Sequence, residues 1–166
     1  MFGTVFGFVS SDVEEKIGIL RDYRKSEVSD KYESVQKMLE YEVANKLTDN
    51  KKKASGARTL LRLHRALEFI SALLEKIRDT DNKAKFSTEA VAAYDATLAK
   101  HHPWLVKKGV HVAMMMLPSR PDLLKKMSLD DTEEKMALLA KLIDELNVIY
   151  KITQDLYAKD KLLDLP

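Results

Sequence analysis

Cysteine is absent from this chain of 166 residues, which excludes disulfides, thiolate zinc sites and thiol catalysis. Glycine and proline are scarce, with 5 and 4 residues, too little turn chemistry for a many-stranded sheet. No apolar run approaches the ~18–20 residues of a membrane span. The longest, Val110 to Leu117, is already broken by His111. Charge of one sign is also missing, since 28 basic and 26 acidic side chains leave a net charge of +2. General polyanion binders are usually more lopsided, so nucleic acid is not an expected partner and any anion site must be local. The start Met1-Phe2-Gly3-Thr4-Val5-Phe6 has no basic region and no small-residue cleavage site, so no signal peptide is expected. Zero cysteine is compatible with the cytosol.

What is present is a folded composition, 45% apolar and 33% charged, in a length that suits one ordinary domain. Apolar residues recur at helical spacing almost throughout. Val5, Phe8, Val9, Val13, Ile17 and Leu20 predict a first helix to about Arg21. After the polar stretch Ser26 to Asp30, a second helix is predicted through Tyr32, Val35, Leu39 and Val43 to about Lys46. Thr48 to Gly56, with three consecutive lysines, reads as a solvated loop. Leu60, Leu63, Leu67, Ile70, Leu74 and Ile77 step by three and four, the cleanest amphipathic stripe of the chain. Ser87 or Thr88 is a candidate cap for a helix to about Lys100, and Pro103 for the start of another. Pro118 to Pro121 reads as a turn and Leu123 to Met127 as a short helix. Asp130 or Asp131 would cap a long last helix carrying Met136, Leu139, Leu142, Ile143, Leu146, Ile149, Ile152 and Leu156. With no internal repeat and no long linker, the expected fold is all-α and single-domain.

The informative departures are charges on rows that should be core. The i,i+4 row of the first helix reads Phe8, Asp12, Lys16, Leu20, and that of the third reads Arg58, Arg62, Ala66, Ile70. If these helices meet, one carboxylate and three cations gather at the edge of an apolar interior. That chemistry suits a phosphomonoester on a greasy body: the guanidinium fork grips phosphate oxygens, lysine adds a point charge, and the carboxylate accepts from a neighbouring amide or hydroxyl. The plainer reading is a local Asp12–Lys16 ion pair and two solvated arginines.

Other features are weaker. His101 and His102 point about 100° apart on a helix, and His64 and His111 have no acidic partner at ligand spacing, so no metal or other cofactor is expected. A neutral histidine can donate one hydrogen bond to a carbonyl. Trp104 with Lys107 and Lys108 fits either an interfacial anchor or a half-buried indole beside solvated lysines. Met114-Met115-Met116 reads first as core filler. Ser10 and Ser11 lack a nucleophile turn, and no glycine-rich phosphate loop exists, so catalysis has no visible machinery.

The order of motifs is what identifies a family. Val9-Ser10-Ser11-Asp12-Val13-Glu14-Glu15-Lys16, then Gly56-Ala57-Arg58-Thr59-Leu60-Leu61-Arg62-Leu63-His64-Arg65-Ala66-Leu67, then His102-Pro103-Trp104, and the ending Leu162-Leu163-Asp164-Leu165-Pro166 resemble the glycolipid transfer protein superfamily. Within it they are similar to the branch that carries ceramide-1-phosphate. The resemblance implies a two-layer sandwich of helices that encloses lipid chains. It implies that Asp12 anchors the sphingoid amide and hydroxyl, that Lys16, Arg58 and Arg62 hold the phosphate, and that His102 bonds the amide carbonyl. Trp104, Lys107 and Lys108 would lie on the membrane-docking face. Glycolipid carriers of the superfamily present asparagine and tryptophan where this chain has Lys16 and Arg62, which favours phosphate over sugar. The family usually has a further helical segment ahead of the position of Met1, so a chain starting here is expected to lack part of the cavity's cover.

Phe6, Phe8, Val13, Leu67, Phe69 and Ile70 are candidate lining residues, although ordinary core positions look the same. The expectation is a non-enzymatic carrier, monomeric and cytosolic, that meets membranes transiently and moves ceramide-1-phosphate or a related sphingolipid. A lipid sensor or a helical interaction module would share these features, whereas a lipid-processing enzyme would need a nucleophile, metal or acid–base pair.

Overall fold

The computed structural model describes the backbone of residues 2–50 and 53–166, and the side chains of residues 10–50 and 53–166. The side chains of Phe6 and Phe8, two of the candidate lining residues, therefore lie outside the described residues. Seven α-helices and two 3-10 turns carry the described chain, with no strand among them. The helices are α1 (Phe2–Lys25), α2 (Val35–Ala44), α3 (Gly56–Asp79), α4 (Phe86–Ala96), α5 (Trp104–Met114), α6 (Arg120–Lys126) and α7 (Glu133–Lys159). The 3-10 turns are Ser29–Tyr32 and Leu98–His101. No described helix is long and apolar enough to cross a membrane.

Several boundaries differ from the sequence reading, each for a local reason. The second helix starts only at Val35, because Ser34 takes an extended conformation and its hydroxyl caps the Lys37 N–H at 3.2 Å. Neither Ser87 nor Thr88 caps α4; both lie inside it, and Ser87 is buried. Pro121 belongs to a helix rather than a turn: Ser119 caps α6 and the proline occupies its first turn, where no N–H is needed. Asp130 and Asp131 do not start α7. Asp130 accepts from the Thr132 hydroxyl at 2.6 Å, and Asp131 pairs with Arg120. Of the three consecutive methionines only Met114 is buried; Met115 and Met116 are exposed.

The chain forms two compact units, one of residues 3–64 with 149–166 and one of residues 65–148. The first has a core of Tyr32, Met38, Leu39, Ala57, Leu61, Tyr157 and Leu162. Tyr23 stacks on Tyr32 with ring centroids 4.4 Å apart, and the Tyr157 hydroxyl donates to the Ala57 carbonyl at 2.7 Å. The second unit packs Ile77, Phe86, Ala90, Tyr94, Leu124, Leu139 and Ile143 together. Its polar staple is Arg120, which is buried. The guanidinium donates to the Ile77 carbonyl at 2.5 Å, the Arg78 carbonyl at 3.2 Å and Asn82 at 2.6 Å, and it grips both Asp131 oxygens at 2.8 and 2.9 Å. It thereby partners carbonyls at the C-terminal end of α3 that no further turn can reach.

The cleanest apolar stripe of α3 is not its most buried row. Ala57, Leu61, His64 and Ser71 are buried, whereas of the stripe only Ile77 is buried, Leu60, Leu63, Leu67 and Leu74 are half-buried and Ile70 is exposed. The polar members of the buried row reach side chains of α7. His64 Nε2 lies 2.7 Å from Gln154 Oε1 in the first unit, and Ser71 donates to Asn147 Oδ1 at 2.6 Å in the second.

Candidate functional site

Arg58 and Arg62 stand on the first two turns of α3, and the start of that helix is fixed with unusual completeness. A helix N-terminus leaves its first N–H groups without intrahelical partners. Here the Gly56 and Ala57 N–H groups donate to the two oxygens of Glu42, at 2.7 and 2.9 Å. The Arg58 N–H donates to the Ser55 hydroxyl at 3.0 Å, and that hydroxyl itself donates to the Thr48 carbonyl at 2.6 Å. Glu42 is only 1% exposed and also accepts from the Tyr32 hydroxyl at 2.8 Å. Burial, helped by the bond to Glu42, pushes the Tyr32 phenol far above its usual range, so it remains a donor. Gly56 is required at this approach: a Cβ there would lie 2.6 Å from the Met38 sulfur and 2.9 Å from the Tyr32 ring.

The expected phosphate-binding residues Lys16, Arg58 and Arg62 all belong to the first unit, as does Asp12, expected at the sphingoid amide. Asp12 and Lys16 form an i,i+4 ion pair on α1, so the plain local pairing is made. The Lys16 side chain is mostly covered, 14% exposed, while Asp12 is open to solvent. Arg58 is held by the loop before its own helix, with contacts of 3.3 Å to Asp49 Oδ1 and 3.3 Å to the Asn50 carbonyl. Lys53 of that loop sits 4.2 Å over the Tyr23 ring, so this lysine is anchored rather than simply solvated, while Lys51 and Lys52 lie outside the described residues. Arg62 is exposed, and among the described residues it has no ion-pair or hydrogen-bond partner for its guanidinium. Val13, half-buried, is the described lining candidate of this unit.

His102 belongs to the second unit, as do Leu67, Phe69 and Ile70. Its Nδ1 lies 2.7 Å from the Tyr94 hydroxyl. Burial, with the Asp95 charge, raises the Tyr94 phenol, so it keeps its proton. Either partner of this pair can donate, according to the imidazole tautomer; with the phenol as donor, the ring carries its proton on Nε2, the form that donates to a carbonyl. His111 does have an acidic partner, Asp95 at 2.7 Å, though on another helix and not at ligand spacing. His101 is held below the ordinary histidine range by burial and by the nearby Arg65 and Lys100 charges. No group of three or more potential metal ligands occurs among the described residues. Phe69 packs against the core edge-on to Tyr94, 6.0 Å between centroids, Leu67 is half-buried and Ile70 is 42% exposed.

The first turns of α5 are the most exposed apolar surface in the second unit. Trp104 and Leu105 are 70% and 74% exposed, and Val112, Met115 and Met116 are exposed as well. Lys108 Nζ lies 5.8 Å from the indole centroid, while Lys107 is half-buried. The indole is thus not the half-buried side chain that the sequence left open as an alternative.

The sequence reading missed Glu42 and Tyr94, and with them the buried partners of the start of α3 and of His102. Glu42 carried a usable signal. Buried Met38 and Leu39 precede it by four and three residues on α2, so it is a charge on an apolar row, like Asp12 and Lys16. The predicted stripe through Val43 is displaced by one position, because Glu42 turns inward and leaves Val43 40% exposed.

With the helical fold and this charged set in place, the comparisons decide the class. The chain belongs to the glycolipid transfer protein family, whose pattern it matches over residues 1–129. Among curated relatives it is similar to the zebrafish (Danio rerio) ceramide-1-phosphate transfer protein, 42% identical over 168 residues, 99% of this chain and 80% of that protein. The mouse (Mus musculus) protein of the same name is 42% identical over 170 residues, again 99% of this chain and 79% of the relative. Among solved structures, human ceramide-1-phosphate transfer protein in complex with 12:0 ceramide-1-phosphate superposes with a TM-score of 0.91 at 37% identity, covering 99% of this chain and 81% of that one. The fold is therefore that of the glycolipid transfer family.

Proposed function

We propose that this protein is a non-enzymatic carrier that moves ceramide-1-phosphate, or a closely related phosphosphingolipid, between membranes from the cytosolic side. The support is similarity along nearly the whole chain to proteins named for ceramide-1-phosphate transfer, one of them solved with that lipid bound. The observation that carries the headgroup choice is Arg62, an exposed guanidinium with no partner among the described residues, one helical turn beyond Arg58. Two like charges at i,i+4 repel, so the pair is kept at a cost that an arriving phosphate relieves.

In this reading Lys16, Arg58 and Arg62 bind the phosphate. Asp12 accepts from the sphingoid amide and hydroxyl, and His102 bonds the amide carbonyl. The half-exposed stripe of α3, including Leu67 and Ile70, contributes lining for the acyl chains together with Val13, Phe69, Phe6 and Phe8. Each methylene taken out of water is worth about 0.8 kcal/mol, so an apolar sleeve must replace the bilayer for the lipid to leave it. Burial is equal in both directions, which makes the protein an equilibrating carrier. Trp104, Lys107 and Lys108 form the membrane-docking surface. The whole chain acts as one lipid-transfer domain, monomeric in solution.

The test is transfer of fluorescent ceramide-1-phosphate between two vesicle populations, with a neutral glycosphingolipid and phosphatidic acid as controls. Selective transfer of the phosphosphingolipid supports both the carrier role and the amide-plus-phosphate logic. Binding without transfer makes the protein a sensor, and equal transfer of the glycolipid removes the headgroup assignment.

A further inference from the structure

The N-terminus of a helix is a ready-made anion site, since its free N–H groups and the helix dipole both favour negative charge. On α3 that site is already filled from inside the protein. Glu42 takes the Gly56 and Ala57 N–H groups, Ser55 takes the Arg58 N–H, and Gly56 has no room for a side chain beside them. We propose that Glu42 is a positioning residue for headgroup recognition: as the internal anion of α3, it fixes the height and rotation of the first two turns and forces an incoming phosphate onto the Arg58 and Arg62 side chains. This rests on the phosphate-binding role proposed above for those arginines.

The geometry favours positioning over mere support. Gly56 and Ala57 immediately precede Arg58, so any slack in their bonds to Glu42 is passed directly to the guanidinium that must meet the phosphate. The Tyr32 hydroxyl bonds the same Glu42 oxygen as the Gly56 N–H, which fixes the carboxylate plane. A glutamine at position 42 keeps the volume but turns one acceptor into an NH2 group facing a donor, so at least one of the three bonds is lost. The rest of α3 has its own intrahelical bonds and its anchor through Arg120 at the other end.

The experiment uses the intact chain with Glu42→Gln, and with Tyr32→Phe as a milder variant that keeps both backbone bonds. Uptake of ceramide-1-phosphate and of ceramide with the same acyl chain is measured from vesicles, normalised to the folded fraction. Amide hydrogen exchange is read separately over residues 56–62 and 66–79. Loss of one such bond is expected to lower the ceramide-1-phosphate to ceramide ratio about three- to tenfold in Glu42→Gln, and less in Tyr32→Phe. Exchange should rise over 56–62 and stay unchanged over 66–79. A ratio that holds while both uptakes fall together would show that Glu42 only supports folding, and unchanged exchange over 56–62 would equally overturn the proposal. Should wild-type protein fail to distinguish the two lipids, the phosphate reading fails, and the exchange pattern still reports whether Glu42 sets the start of α3.

Discussion

Replacing Arg62 with leucine separates binding from folding more cleanly than any other change in the charged set. Arg62 is exposed and, among the described residues, forms no hydrogen bond or ion pair through its guanidinium. Its loss should therefore alter stability by less than about 0.5 kcal/mol. The change should even be slightly favourable, because the i,i+4 repulsion with Arg58 costs about 0.2–0.5 kcal/mol. The effect on the ligand is much larger. Hydrogen bonds to charged groups contribute about 1.5–3 kcal/mol, so affinity for ceramide-1-phosphate should fall between about tenfold and a hundredfold. Ceramide, with no phosphate, should be affected little. Arg58→Leu is the contrast: it also releases Asp49 and the Asn50 carbonyl, so it should weaken both binding and the loop before α3. The assay is vesicle-to-vesicle transfer of the two lipids, with urea denaturation of each variant alongside. Unchanged ceramide-1-phosphate transfer by a folded Arg62→Leu protein would refute the headgroup reasoning, and a large loss of stability would show that this guanidinium bonds to a group outside the described residues.

Other consequences can be checked in the same preparations. Arg120→Met should destabilise the fold by about 2–4 kcal/mol in urea denaturation, because the buried Ile77 carbonyl and the half-buried Arg78 carbonyl lose their donor. The Arg120 guanidinium, with Asn82, holds the Asp131 carboxyl at about 2, below its ordinary 3.8. Stability from that pair is present above the ordinary value and disappears as pH falls through about 2, so the gap between wild type and Arg120→Met should narrow between about pH 4.5 and pH 2. Tyr94→Phe removes the hydroxyl partner of His102 Nδ1 and should reduce discrimination between ceramide-1-phosphate and phosphatidic acid about three- to tenfold; equal discrimination would disconnect this bond from amide recognition. Trp104→Ala should leave the melting temperature unchanged, since the indole is 70% exposed, and lower binding to anionic vesicles about tenfold by co-sedimentation.

The sequence by itself determined the helices, because a 3.6-residue repeat of apolar side chains is a local pattern that any amphipathic helix must show. It also placed Asp12, Lys16, Arg58 and Arg62 as charges on apolar rows, and the ordered motifs identified the family. Only the tertiary structure decided which rows are buried. On α3 the buried row includes His64 and Ser71, because Gln154 and Asn147 of α7 bond to them across separations of 90 and 76 residues that no local pattern encodes. On α2 the inward face turned to Glu42, because the N–H groups of a helix beginning fourteen residues later needed an acceptor. Asp131 reads as a helix cap in sequence and becomes the partner of a buried arginine in space. In each case hydrophobic periodicity sets what a segment is, and the obligation of buried polar groups to find partners sets how it is turned.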